Sequence, residues 1–161
     1  MVKFVTDNFM PARVHVRDDS ALFQKYGEKY GAQWTPTILE LDSDGVERHR
    51  IEGFLPNDDF LAQLMLGRAQ IAFAEQKWEE AERRFREIVE KLPDTDAAPE
   101  ALYWAGVAPY KATQDNSSLK QTASAFKDRY QDTSWAKKAS IWAGNRAGRA
   151  ELSRPGRCAG G

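Results

Sequence analysis

The segment Trp34-Thr35-Pro36-Thr37-Ile38-Leu39-Glu40-Leu41-Asp42-Ser43-Asp44-Gly45 constrains this chain more than any other. Its β-branched, apolar run from Thr37 to Leu41 suits a sheet, and the Asp44-Gly45 dipeptide just beyond it accepts positive φ at little steric cost. Val46 to Ile51 then returns as the antiparallel partner, so the segment predicts a hairpin. Gly53-Phe54 follows the second strand.

Other elements follow from periodicity. Val2, Phe4, Val5 and Phe9 fall mostly on one side of a helix that Pro11 stops, because proline disfavours the helical conformation in its predecessor. Ala12 to Val16 reads as a strand, with Ala12, Val14 and Val16 on one face and Arg13 and His15 on the other. Ser20 is placed to cap a short helix carrying Leu22, Phe23 and Tyr26, which Gly31 closes. After Pro56 an amphipathic helix runs to about Glu75, with Phe60, Leu64, Gly67 and Ile71 in one stripe. Four more stripes succeed it: Trp78, Ala81, Phe85, Ile88 and Leu92; Pro99, Leu102, Gly106 and Tyr110; Leu119, Ala123, Phe126 and Tyr130; Trp135, Ala139 and Trp142. Five successive amphipathic helices predict an array of helical hairpins. Pro109 is expected to kink or end its helix, since it leaves the Ala105 carbonyl without a partner. Gly, Ala, Arg and Ser dominate residues 143–161, which are expected to form a disordered tail.

Composition removes several functions. With 23 basic and 24 acidic residues and a net charge of -1, the chain has no bulk attraction for nucleic acid or anionic lipid. No apolar run approaches the roughly 20 residues of a membrane span, and Met1-Val2-Lys3-Phe4 does not open a signal peptide. A cytoplasmic location is expected. The one cysteine, Cys158, excludes an intrachain disulfide and reads as an inert tail thiol. His15 and His49 fall at polar positions on separate strands and read as surface histidines, so no metal site is expected. Phosphate loops, serine elbows and metalloprotease motifs are missing, and no cofactor is expected. Trp78, Trp104, Trp135 and Trp142 lie at core spacing on their helices, which leaves Trp34 as the tryptophan available for binding.

Tyr30-Gly31, Thr35-Pro36-Thr37, Asp42 with the Asp44-Gly45 turn, and Gly53 occur in an order and spacing that resemble the C-terminal, proline-bearing half of the thioredoxin family, over residues 1–64. The resemblance implies a cis Thr35–Pro36 bond and a peptide-binding loop at Trp34, Thr35, Pro36 and Gly53, with Thr35 offering its backbone to an extended substrate. The family's Cys-x-x-Cys pair is absent from this chain. So is the strand that, in that family, lies between the strands assigned here to Ala12–Val16 and Thr37–Leu41; the implied sheet has exposed edges through which two copies could form a homodimer. Ala69, Gln76, Trp78, Ala81, Phe85 and Pro93 resemble one tetratricopeptide unit of about 34 residues. Gly106, Phe126 and Tyr130 resemble a looser second one, with an unusually long connection around Thr113 to Ser118.

The expected fold is α+β followed by α: a truncated thioredoxin-like β-α-β-β-α unit at residues 1–64 and tetratricopeptide-like helical hairpins at residues 57–142, sharing the first long helix. The expected function is non-catalytic binding of a protein or peptide partner. The alternative is a fragment of a thiol-disulfide oxidoreductase whose cysteine pair lies upstream of Met1.

Overall fold

The computed structural model describes residues 1–144, so most of the segment expected to form a tail lies outside the described residues. In chain order the elements are α1 (Val2–Asn8), α2 (Ser20–Tyr30), β1 (Thr37–Leu41), β2 (Glu47–Glu52), α3 (Asn57–Ala74), α4 (Trp78–Lys91), α5 (Ala97–Thr113), α6 (Ser117–Asp128) and α7 (Ser134–Ala139). A 3-10 turn at Ser140–Ala143 follows α7. No described helix is long and apolar enough to cross a membrane.

The hairpin forms where the Asp-Gly signal puts it. β1 and β2 pair antiparallel from Thr37 opposite Glu52 to Glu40 opposite His49, with an irregularity before Leu41 opposite Glu47. Asp42 builds the turn: its carboxylate accepts from the backbone of Val46 at 2.9 Å and Asp44 at 3.0 Å, and from Arg48 Nε at 2.7 Å. The Val46 hydrogen bond leads the influences holding Asp42 below the usual carboxylate range. Gly45, at φ 74, takes the conformation that a side chain would oppose.

The expected strand at Ala12–Val16 does not form. Among the described residues the sheet has two strands only, β1 and β2. Alternation supplies a face, but a strand also needs a neighbour for its backbone groups, and neither β1 nor β2 pairs with this stretch. Its end folds instead into a turn, in which the Asp19 carboxylate accepts from the His15 backbone at 3.2 Å. That bond also corrects the expected Ser20 cap: Ser20 is the first helical residue, Asp19 is the cap, and no side chain caps α2.

The helical half is built on α3, which buries Ala62, Leu64, Met65, Leu66, Gly67, Ala69 and Ala72 rather than a single stripe. It packs on α4 and α5 and also carries the hairpin, so it has little face left for solvent. α4 is amphipathic in the ordinary way. Ala81, Phe85 and Ile88 point inward, while Glu80–Arg84, Glu82–Arg86 and Glu87–Lys91 pair along the outside at 2.5–2.8 Å, each pair stabilising by a few tenths of a kcal/mol. α5 buries alanines, and its Gly106 lies so near α6 that a Cβ there would overlap Thr122.

Three further expectations are corrected. Of the kink or end expected at Pro109, the end does not occur: α5 continues to Thr113. The connection to α6 is short, residues 114–116, and turns through Gln114 at φ 61. Trp78 is half-buried rather than core; it covers Phe73, whose ring also meets Trp104, so these aromatics roof the core that Phe85 fills.

Phe85, Leu66 and Ile88 are the largest fully buried side chains. Phe85→Ala is expected to cost about 3–5 kcal/mol in chemical denaturation, the range for truncating a buried aromatic. Between residues 1 and 56 only Glu40 and Ile51 are buried. Amides of α4 and α5 are therefore expected to exchange far more slowly than those of residues 1–54, which native-state hydrogen exchange measures directly.

Candidate functional site

The proline loop is positioned by the end of α2, which is moored to the outer face of the hairpin. Tyr30 Oη donates to the Gly45 carbonyl at 3.1 Å. Arg50 on β2 donates to the Tyr30 carbonyl, to both Glu47 carboxylate oxygens at 2.7 Å and to Glu52 at 3.2 Å. Those acidic partners hold the Arg50 guanidinium firmly protonated. A forked cation is suited to this role because it satisfies carboxylates and a carbonyl at once.

From this mooring the chain runs through Trp34 to a cis Thr35–Pro36 peptide bond. Thr37 Oγ1 donates to the Trp34 carbonyl at 2.7 Å, and the Gly53 N–H donates to the Pro36 carbonyl at 2.9 Å. Gly53 turns the chain at φ 85, outside the range that side chains favour. Trp34, Thr35, Pro36 and Gly53 thus share one end of the hairpin. Among the described residues no hydrogen bond involves the Thr35 backbone. Trp34 is 69% exposed and Phe54 is 92% exposed. Phe54 was not among the residues expected at the site, although an aromatic placed between a turning glycine and Pro56 is a signal for an exposed ring.

Residues 1–67 match the family model of a thioredoxin-like domain. No curated protein and no solved structure matches the chain. The matched stretch takes in α1, α2, the hairpin and the proline loop, and ends inside α3 at Gly67.

The opposite face of the hairpin corrects the reading of His49. This histidine is half-buried, and its Nε2 lies 2.8 Å from Gln63 Oε1 on α3. Its cross-strand partner Glu40 is only 4% exposed, and among the described residues neither carboxylate oxygen has a hydrogen-bond partner. A Cβ on Gly67 would overlap that carboxyl. Burial pushes Glu40 up to about 8, with Arg68 the opposing influence, and burial lowers His49 from its ordinary value. Both are neutral near pH 7. Sequence alternation carried the clue to Glu40, since it shares a face with Ile38.

Removing an unsatisfied buried polar group is stabilising when an apolar one of similar shape replaces it. Glu40→Leu is expected to stabilise the hairpin against opening by about 1–3 kcal/mol, measured from exchange of β1 and β2 amides near neutral pH.

Proposed function

We propose that this chain is a non-catalytic binding protein whose proline loop receives an extended segment of a partner protein. The observation that carries the reading is the exposure of Trp34 and Phe54 on the two hydrogen-bonded segments that meet at Pro36 and Gly53. Aromatic rings bury large areas when a partner covers them, and they dominate the energetics of protein contacts. The Thr35 backbone and the outer edge of β1 supply groups for pairing with an extended chain. Packed helical hairpins in the style of tetratricopeptide repeats add a second surface for the same partner.

The second reading, a fragment of a thiol-disulfide oxidoreductase, is favoured by the match to a thioredoxin-like domain. Exchange through a cysteine pair needs two thiols, and this chain contains one cysteine. The chain is therefore expected not to reduce insulin disulfides above a Cys158→Ser control, and turnover abolished by that substitution would reject the non-catalytic reading. We also propose that the free β1 edge allows two copies to pair, which light scattering on the purified chain tests.

Fluorescence anisotropy with a labelled, reduced and alkylated unfolded polypeptide tests the binding site. Replacing both Trp34 and Phe54 by alanine is expected to weaken binding by about tenfold or more, with an unchanged thermal midpoint because both rings are exposed. Undiminished binding would remove the proline loop from the proposal.

A further inference from the structure

Glu40 lies where the hairpin meets the helical half, and among the described residues nothing there satisfies its charge. β1 and β2 present Ile38, Glu40, His49 and Ile51 to α3, with Glu40 directly opposite His49 in the register. Gln63, Gly67 and Gln70 of α3 are spaced by four and then three residues, so they form one face of that helix. Gln63 bonds His49, Gly67 leaves room for the Glu40 carboxyl, and Gln70 Nε2 donates to Glu100 of α5 at 3.1 Å.

The charged groups around the pair do not neutralise Glu40 directly. Arg68 of α3 acts on it at a distance, but its guanidinium donates to Asn8 of α1 and is also influenced by Arg84, Glu80 and Glu87 of α4. On β2, Glu47 favours His49 protonation from the far side, where it is held by Arg50. Glu100 is occupied by Gln70. An ionised Glu40 in this seat would have neither a hydrogen bond nor a contact ion pair, which is the costly arrangement for a buried charge.

We propose that Glu40 and His49 form a proton-controlled latch: with both neutral the hairpin is seated on α3, and loss of the Glu40 proton loosens it. The hairpin carries Pro36 and Gly53 at its end, so the latch also sets how firmly the proline loop is held. This inference stands apart from whether the loop binds peptide.

Linkage gives the latch a distinctive pH profile. The seated hairpin holds Glu40 protonated up to about 8, whereas an opened one returns it toward its ordinary 4.5. Between those values opening becomes easier by about tenfold per pH unit. His49 works in the other direction: below its ordinary 6.5 the opened state takes up a proton that the seated state refuses. Opening there becomes harder by about tenfold per unit as pH rises, down to the lowered His49 value. The two slopes cancel from about pH 6.5 down to the lowered His49 value; from about pH 6.5 to about pH 8 the seat weakens by about thirtyfold, then levels off.

Hydrogen exchange on the full chain tests this, using protection of β1 and β2 amides relative to α4 amides and corrected for intrinsic rates. The wild type is expected to show the plateau, the thirtyfold fall and the second plateau. Glu40→Gln should abolish the fall above about pH 6.5, while His49→Asn should extend it downward to about pH 4.5. Carbon-13 NMR of the Glu40 carboxyl in the wild type is expected to show titration near 8. A carboxyl that titrates in the ordinary glutamate range overturns the proposal even if neither variant folds. A flat wild-type profile, or the same fall in Glu40→Gln, overturns it as well.

Discussion

Burial of α3 on several sides is the constraint on which the rest of the structure depends. A helix that packs one stripe can be lifted from its neighbours without disturbing them; α3 cannot, because α4, α5 and the hairpin all rest on it. Its small residues Ala62, Gly67, Ala69 and Ala72 let these elements come close. The helical core around Leu66, Phe85 and Ile88 then holds nearly all the buried apolar residues described, Ile51 being the exception, and the hairpin is stabilised by being seated on it. This division explains why the N-terminal part keeps its shape with so few buried residues of its own.

The proline loop inherits its position from the same arrangement. Its anchoring comes from polar groups on the outer side of the hairpin, where Tyr30 ties the end of α2 to the turn at Gly45 and Arg50 ties it to β2. Polar mooring fixes geometry without burying apolar area, so the aromatic rings at the loop stay in water. Trp34 and Phe54 are therefore exposed on a framework held by hydrogen bonds.

Local signals were legible where the physics is local. The Asp44-Gly45 turn and the positions of the five later helices followed from turn chemistry and periodicity, which depend on neighbours in sequence, whereas the grouping of Pro36 with Gly53 was implied only by the resemblance to the thioredoxin family. Ala12–Val16 shows the limit. Its alternation is genuine, but a strand exists only when another strand accepts its hydrogen bonds, and pairing is a non-local event. Pro109 shows the same limit from the other side, since tertiary contacts carry α5 past a residue that disfavours the helix locally.

By itself the sequence determined which segments turn, which prefer helix and which thiol chemistry a single cysteine permits, because those follow from residue type and spacing. Tertiary structure alone decided the fate of Glu40 and His49. His49 reads as a surface residue and Glu40 lies inside a run that reads as apolar, yet both polar groups become half or wholly enclosed once α3 closes over the hairpin. The dielectric surroundings of a carboxyl depend on what packs across from it, and here Gly67, distant in sequence, is the residue whose missing side chain makes that enclosure possible.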